Sequence, residues 1–212
     1  MAEISVSNVL AVWASATDGE RSEGLGWYQA AHTFARGLSE RYHVPFETAA
    51  GVLAVISPRL SWSMNMRAAD ELIRTGDAPI LHTNKSKARR MLAGENVDAV
   101  LECASCARGD TAKHVCSGQK VRAFYACIVD PAGSDAVCVD RHAFDVAAGR
   151  VGDEVSRKAL DRVGVYERVA GCYRQAALIS DQSVALPVGP HLTPEDVEHV
   201  GRTVAGLIEE MS

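Results

Sequence analysis

The sequence predicts an all-α fold on three observations. Almost every segment has the apolar spacing of a helix face, as Val121, Phe124, Tyr125 and Ile128 do. These segments are separated by glycine, proline or residues that commonly cap helices. No segment has the pattern of a sheet strand. We therefore expect helices throughout the chain.

Each predicted helix combines an apolar face with a breaker or a cap at its ends. In order along the chain they span about Ser5–Ala14, Trp27–Tyr42, Phe46–Ile56, Met64–Arg74, Lys85–Leu92, Asn96–Cys103, a short helix near Lys113, Gln119–Val129, Arg141–Ala148, Glu154–Val163, Tyr166–Ser180 and Pro194–Glu210. The last is the best marked, because Thr193 can cap it and Pro194 suits its first position.

Length and composition indicate one soluble domain, or one domain with two lobes. The 212 residues are 47% hydrophobic, which is enough to bury a core, and 23% are charged. No stretch approaches the roughly 18 uninterrupted apolar residues of a membrane span, and MAEISVSNVLAVW lacks the basic start of a secretion signal. The six unevenly spaced cysteines suit reduced thiols. We expect a cytoplasmic protein.

Charge is distributed unevenly along the chain. The formal net charge is −5, yet residues 82–122 carry eight Lys or Arg against four Asp or Glu, which is +4 and leaves −9 for the rest. Such a basic strip is compatible with gripping DNA at one place, because only the contacted phosphates contribute. The alternative is that NKSKARR, residues 84–90, is an ordinary solvated helix face.

Lys120 is a candidate catalytic residue. It follows the turn CSG, residues 116–118, at the start of a predicted helix whose free N–H groups favour an anion such as a DNA phosphate. Phe124 and Cys127 fall on the same side of that helix, so the amine can be partly desolvated, and a neutral amine is a nucleophile. The alternative is a lysine whose stem covers apolar neighbours while its ammonium group reaches water.

Asp140 follows the apolar run Val137–Val139 and opens a helix that Gly149 can close. Aspartate is a favoured N-cap, which accounts for this position by itself. A carboxylate fixed at a helix start is also suited to holding a proton or to facing a cationic transition state. Both interpretations remain open on sequence alone.

Four cysteine and histidine residues have the composition of a possible metal site. Cys103, Cys106, His114 and Cys116 form a C-x2-C-x7-H-x-C arrangement, and four soft ligands of this kind can bind zinc. The spacing differs from that of the common zinc fingers, and the stretch between Cys106 and His114 is polar. We predict unbound thiols, no metal site and no cofactor.

A glycine-containing turn, a lysine opening the next helix and the motif VDRH, residues 139–142, together resemble the helix-hairpin-helix DNA glycosylase superfamily, the endonuclease III group. The resemblance runs from about Phe46 to Arg150. It implies that the turn grips the DNA backbone, that Lys120 can attack the sugar C1′, and that Asp140 assists chemistry at a flipped nucleotide. His142 matches the histidine of the family's VD-x-H motif.

Three features depart from that pattern, and the first is that the motif reads VDRH rather than VDTH. Cys116 stands where the hairpin normally has its first glycine, so only Gly118 remains. No cysteine follows Cys172, which excludes the C-terminal four-cysteine iron–sulfur cluster of the endonuclease III branch.

A closer likeness covers more of the chain, from about Gly26 to Ala177. The matching stretches are GWYQAAHTFA, GVLAVISPRLSWSMNMRAADELI, NKSKARRMLAGE, GQKVRAFYACIVDP, VCVDRHAFDVAAG and YERVAGCYRQAA. They are similar to a glycosylase-like family of phages and actinobacteria that includes α-glutamyl/putrescinyl thymine pyrophosphorylases. Those proteins are proposed to act in thymine hypermodification, where an amine displaces pyrophosphate from activated 5-hydroxymethyluracil in DNA. The likeness implies base flipping used for substitution rather than for excision.

Flipping a base requires a pocket and a group that fills the gap in the duplex. In the loop SPRLSW, residues 57–62, Trp62 or the arginine can stack on the base or fill the gap, and Asn65 and His142 can read its polar edges. Alternatively, Trp62 is ordinary core, and Asn65 and His142 make local hydrogen bonds. The residues expected at the DNA backbone are Ser117, Gly118, Gln119, Lys85, Lys87 and Arg122.

The resemblance implies a single glycosylase-like domain of two helical lobes, with residues 45–150 as the helix-hairpin-helix core lobe and residues 1–44 plus 151–212 as the second. We expect an enzyme that flips a thymine-derived base in double-stranded DNA and joins a small amine or amino acid to it, with no membrane partner. The alternatives are a DNA glycosylase, with or without lyase activity through a Lys120 Schiff base, and a DNA-binding module without catalysis.

Overall fold

The computed structural model describes residues 3–103 and 118–182. Within these ranges the chain forms helices and no strand, which confirms the all-α class. The helices are α1 (Val6–Ser15), α2 (Asp18–Tyr42), α3 (Phe46–Ile56), α4 (Trp62–Thr75), α5 (His82–Leu92), α6 (Val97–Leu101), α7 (Gln119–Val129), α8 (Arg141–Ala147), α9 (Glu154–Arg157), a 3-10 helix (Lys158–Asp161) and α10 (Val165–Gln182). The helices predicted near Lys113 and at Pro194–Glu210 lie outside the described residues.

Most helix starts are fixed by a side chain that accepts a hydrogen bond from a first-turn N–H group, which would otherwise have no partner. Ser5, Ser61 and Asn96 cap α1, α4 and α6 in this way. Asp140 and Asp153 cap α8 and α9. The polar residues that precede the apolar runs therefore set where these helices begin.

The largest difference from the predicted helices is the start of α2. It begins at Asp18 rather than at Trp27, because Thr17 and Glu20 form a reciprocal capping box. The glycines in this stretch lowered the expected helix propensity, but a capped and continuous helix tolerates them. The extension places Gly24 on the same helix as Trp27.

Helix α3 is the centre of the larger of two hydrophobic clusters. Its residues from Thr48 to Ile56 are all buried, since α2, α4, α5, α6 and α7 all contact this helix. Gly51 allows the closest approach, because a Cβ at this position would lie 2.6 Å from Val97 Cγ1 and 3.0 Å from Met91 Sδ. A small residue on α3 thus lets α5 and α6 pack directly against it.

The second hydrophobic cluster joins α1, α8, α10 and the segment that precedes α8. Asn8 Nδ2 donates to Ala147 O at 2.9 Å and ties α1 to the end of α8. Val137 and Val139 belong to this cluster, whereas Cys138 packs against the first one. The segment 137–139 therefore lies between the two clusters, directly before Asp140.

The chain divides into two compact units, Met1–Ala177 and Leu178–Ser212. Both hydrophobic clusters lie within the first unit, and of the second the structure describes the end of α10. The lobe boundaries given above remain a prediction. No helix in the described part of the chain is long and apolar enough to cross a membrane.

Candidate active site

A cavity of about 410 Å³ lies between α2, α4, α7, the loop before α4 and the residues before α8. Pockets of roughly 300–1,000 Å³ are typical of small-molecule sites. Its lining combines four aromatic rings with one lysine and one carboxylate, and residues far apart in the sequence meet there. The lining residues are Gly24, Trp27, Tyr28, Ser57, Leu60, Trp62, Asn65, Lys120, Phe124, Cys138 and Asp140.

Trp27 is the centre of an aromatic wall in this cavity. Its ring centroid lies 5.0 Å from that of Trp62, 5.1 Å from that of Tyr28 and 5.7 Å from that of Phe124. The rings meet in tilted or edge-to-face geometry, which aromatic pairs favour. A wall of this kind offers π faces on which a planar ring can stack.

Lys120 lines the cavity from the first turn of α7. Gly118, the N-cap residue of α7, has a φ of 78°, a left-handed conformation that glycine adopts without strain. Within the described ranges, no ion pair joins Lys120 to a carboxylate. The amino group is therefore available to a ligand.

Asp140 is the N-cap of α8, as the sequence predicts. Its Oδ1 accepts hydrogen bonds from the backbone N–H groups of His142 and Ala143, at 2.9 and 3.0 Å. Its Oδ2 has no hydrogen bond to the described residues. One oxygen thus fixes the carboxylate, while the other is left for a ligand or a proton.

Cys138 contributes a thiol to the same cavity, and this thiol donates to Lys120 O at 3.7 Å. Burial raises the pKa of the Cys138 thiol to about 11, while the nearby charges of Lys120 and Asp140 act in opposite directions. Burial also raises the pKa of Tyr28, whose hydroxyl lies beside the thiols of Cys138 and Cys127. The thiol of Cys138 and the phenol of Tyr28 therefore stay neutral at neutral pH.

Asn65 lines the cavity although only 1% of its surface is exposed. Its Nδ2 donates to Leu53 O at 3.1 Å, and its buried Oδ1 has no hydrogen-bond partner among the described residues. An unpaired buried polar atom costs roughly 1–3 kcal/mol, so nearly all such atoms are paired in proteins. An unpaired acceptor beside a cavity marks a position where a donor from a ligand or a water would gain a bond.

The loop between α3 and α4 contains a strained residue. Arg59 has a φ of 68°, in the left-handed region that residues other than glycine rarely adopt. Its neighbours Ser57 and Leu60 line the cavity, and Leu60 N–H donates to Ser57 O at 3.1 Å. The Arg59 side chain is exposed and has no partner in the part of the chain that the structure describes. Backbone strain of this kind is concentrated at functional sites.

The comparison with protein families adds one finding. The model of a family of unknown function (DUF7178) matches residues 2–186. The chain belongs to this family. The match includes every residue that lines the cavity. No curated protein and no solved structure matches this DUF7178 member.

Four of the five residues predicted for catalysis or for the base pocket meet at the cavity of this DUF7178 member. Lys120, Asp140, Trp62 and Asn65 all line it. His142 does not, because it is exposed in the first turn of α8, where its Nε2 accepts from Arg141 Nε at 3.3 Å. The roles assigned to these residues remain predictions.

The basic helix α5 is largely paired with nearby carboxylates. Lys85 Nζ lies 2.5 Å from Asp77 Oδ1, and Lys85, by its hydrogen bond, holds the pKa of Asp77 below its usual range. Two arginines of α5 also form ion pairs, Arg89 with Asp77 at 3.3 Å and Arg90 with Glu95 at 2.6 Å. Lys87 forms no ion pair in the described ranges. A DNA phosphate would have to compete with these carboxylates.

The other residues expected at the DNA backbone lie near the start of α7. Gly118 is its N-cap and Gln119 its first residue. Arg122 Nη1 donates to Leu101 O at 3.4 Å, and Gln119 and Arg122 line a second cavity of about 310 Å³. Ser117 lies outside the described residues.

Sequence reasoning missed part of the cavity wall. Trp27, Tyr28 and Cys138 line it, but none was predicted to be a site residue. The adjacent Trp27 and Tyr28 were a usable signal, because aromatic residues make up only 6% of the chain and these two stand together in GWYQ. Cys138 gave no comparable signal, since an apolar run explains it equally well.

The described residues contain no group of three His, Cys, Asp or Glu side chains that could hold a metal ion. Of the four residues of the possible zinc site, Cys103 is buried. Cys106, His114 and Cys116 lie outside the described residues.

Proposed function

We propose that this protein is a DNA base-modifying enzyme that turns a thymine-derived base out of the duplex and substitutes an amine onto its activated 5-hydroxymethyl group. The proposal depends on one observation above all: Lys120 and Asp140, distant in sequence, line one aromatic-walled cavity. An enzyme that acts on a base needs such a pocket, because the target atom is inaccessible inside the stacked duplex.

The cavity wall supports the choice of a base as ligand. Trp27, Trp62 and Phe124 supply ring surfaces, and stacking on aromatic side chains contributes about 1–3 kcal/mol per base. Asn65 has a buried, unpaired acceptor, which would be complementary to the imide N–H of a thymine-type ring once the ring displaces the atoms that cover it.

In the proposed reaction, the amine nitrogen forms a bond to the exocyclic methylene carbon while the bond from that carbon to the pyrophosphate oxygen breaks. The pyrophosphate leaves with the electron pair of that bond. Asp140, whose Oδ2 has no other bond to the described residues, takes the proton that the amine loses. The Lys120 ammonium group stabilises the charge on the departing pyrophosphate.

The surroundings of the cavity are consistent with an approach to DNA. The exposed and strained Arg59 adjoins lining residues of the cavity, where it can fill the gap left by a flipped base. The N-terminus of α7, which no side chain of the described residues caps, presents N–H groups that favour a phosphate. These contacts are local, which fits a chain whose net charge is −5.

The deciding experiment uses duplex DNA that contains 5-hydroxymethyluracil, plain or pyrophosphorylated, with a panel of amines including glutamate and putrescine. The products are digested to nucleosides, whose masses are measured by mass spectrometry, and abasic sites are counted in parallel. We expect a heavier nucleoside that appears only with both the pyrophosphorylated DNA and an amine. Lys120→Met should abolish it, whereas Lys158→Met, at an exposed lysine outside the cavity, should not. DNA binding without any product would reduce the protein to a binding module.

One observation favours a second candidate, a DNA glycosylase with lyase activity. Lys120 has no carboxylate partner in the described part of the chain, so its amine can act as a nucleophile on the sugar C1′. Such an enzyme would form a Schiff base that borohydride traps as a covalent complex of protein and DNA. Trapping that is lost in Lys120→Ala, together with abasic sites, would replace the transferase by the glycosylase.

A further inference from the structure

Tyr166, in the first turn of α10, makes two hydrogen bonds to the segment that precedes Asp140. Its hydroxyl donates to Val137 O at 3.0 Å and accepts from Val139 N–H at 3.1 Å. These two backbone groups flank Cys138, whose thiol lies in the cavity and donates to Lys120 O. The Tyr166 hydroxyl thus holds the backbone on both sides of Cys138.

Apart from the packing of its side chains in the two hydrophobic clusters, the segment 137–139 is held by few hydrogen bonds. It belongs to no helix, and within the described ranges Val139 N–H and Val137 O form no further hydrogen bonds. Val139 is buried, so the loss of the phenol would leave its N–H group unpaired away from water. The backbone of the segment therefore depends on the Tyr166 hydroxyl for the pairing of these two groups.

We propose that Tyr166 is a positioning residue, whose hydroxyl fixes the segment 137–139 so that Cys138 closes the cavity wall and Asp140 stands at the start of α8. Tyr166 itself lines the second cavity of about 310 Å³ and not the cavity of Lys120 and Asp140, so it acts on the latter through the backbone. The expected effect of Tyr166 on catalysis rests on the proposed function, whereas its effect on the segment 137–139 does not.

The protonation state of the phenol is compatible with this role. Burial raises the pKa of Tyr166 to about 12, so the hydroxyl keeps its proton and can donate to Val137 O at neutral pH. A phenolate could accept from Val139 N–H but could not donate. The two bonds therefore exist together over the whole neutral range.

Tyr173 provides a matched control on the same helix. It is half-buried like Tyr166, burial likewise raises its pKa to about 12, and its hydroxyl donates to Ala143 O at 3.1 Å. Tyr173 lies near enough to Asp140 for that carboxylate to affect its pKa, but its bond is to α8 and not to the segment 137–139. Replacing either tyrosine by phenylalanine removes its hydroxyl group and preserves the packing of its ring.

The test measures how fast iodoacetamide alkylates Cys138 in the unaltered protein, Tyr166→Phe and Tyr173→Phe, with peptide mass spectrometry to separate the six cysteines. We expect Tyr166→Phe to raise the Cys138 rate about tenfold, the factor that corresponds to about 1.4 kcal/mol less free energy for opening the segment. Tyr173→Phe should leave that rate unchanged. Equal Cys138 rates in the two variants would overturn the proposal.

Amide exchange in the unaltered protein gives a second test, which stands even if Tyr166→Phe does not fold. Val139 N–H should exchange at least about tenfold more slowly than an unbonded amide, since its acceptor is a fixed phenol. Exchange at the unprotected rate would exclude the arrangement. Neither test uses DNA or an amine, so failure of the proposed function leaves both valid.

If the proposed reaction is found, Tyr166→Phe should lower kcat with little change in KM for DNA.

Discussion

Asn65 completes the hydrogen bonding of the central helix by donating from Nδ2 to Leu53 O at 3.1 Å. The Leu53 carbonyl lacks its usual helical donor, because Ser57 N–H bonds to Ala54 O at 3.3 Å and so tightens the last turn of α3. A residue of the cavity thus also secures the end of the helix around which the larger cluster packs.

Replacement of Asn65 by alanine should lower the free energy of unfolding by about 1–3 kcal/mol, because the buried Leu53 carbonyl loses its donor. Urea denaturation measures this loss. Asn84→Ala is the control, since Asn84 is half-buried in α5 and makes no side-chain hydrogen bond to the described residues. That change should stay within about 0.5 kcal/mol. Equal stability of the two variants would show that the bond to Leu53 contributes nothing.

Gly51 and Gly37 should respond to alanine in opposite directions. At Gly51 the new Cβ would meet Val97 Cγ1 at 2.6 Å, so Gly51→Ala should destabilise the fold by about 1–3 kcal/mol through overpacking. At Gly37, in the middle of α2, nothing lies within 4 Å, and Gly37→Ala should add about 0.5–1 kcal/mol of helix stability. Thermal unfolding distinguishes the two, and a destabilised Gly37→Ala would contradict the packing described here.

Protonation of Asp145 should lower the free energy of unfolding in acid. Hydrogen bonds from Arg157, with Nη2 at 2.5 Å from Oδ2, hold the pKa of Asp145 below its ordinary value of 3.8. Because the folded-state pKa is the lower one, the contribution is complete above the unfolded value and is lost as pH falls through the folded value. Asp145→Asn should therefore cost about 1–3 kcal/mol at neutral pH, and less below pH 3.8.

The control for Asp145 is Asp18→Asn, which alters the pair at 3.4 Å between the fully exposed Asp18 and the half-buried Arg21. Exposed pairs contribute little, so this variant should have the stability and the acid response of the unaltered protein. Urea titrations at several pH values measure both effects. A difference between Asp145→Asn and the unaltered protein that persists unchanged in acid would remove Asp145 as the titrating group.

The helical class and several boundaries follow from local sequence, whereas the start of α2 does not. The predicted range Gln119–Val129 agrees with α7, because the glycine turn and the apolar spacing are both local signals. Helix α2 begins at Asp18 because of a two-residue capping box, whose effect outweighs the propensity of the glycines that follow. Glu154–Val163 was predicted as one helix but forms α9 and a 3-10 helix.

The site could be predicted only where a residue type carries its own signal. A lysine and an aspartate at helix starts are conspicuous, and Lys120 and Asp140 do meet at the cavity. The contributions of Trp27 and Cys138 depend on how α2 and the segment 137–139 pack against α7, which no local pattern specifies. His142 lies two residues after Asp140, yet the start of α8 directs it to solvent.

Replacing Arg59 by glycine and, separately, by alanine should distinguish the effect of its backbone strain from the function of its side chain. The left-handed φ of 68° suits glycine, so Arg59→Gly should be more stable than Arg59→Ala by about 1 kcal/mol in urea denaturation. Both variants lack the guanidinium group and should flip a 2-aminopurine-labelled base equally poorly. Normal flipping by either variant would exclude Arg59 as the residue that fills the gap.

Asp140→Asn should separate the capping role of Asp140 from its chemistry. Asparagine caps a helix about as well as aspartate, so α8 should form and the free energy of unfolding should change by less than about 0.5 kcal/mol. Product formation should fall by about 10²–10⁴, because the amide cannot accept the proton of the amine. Asp153→Asn is the matched control, since Asp153 caps α9 in the same way but lies outside the cavity, and it should keep full activity. If Asp140→Asn is fully active in the nucleoside assay, then Asp140 is a cap and nothing more, and the proton must leave by another route.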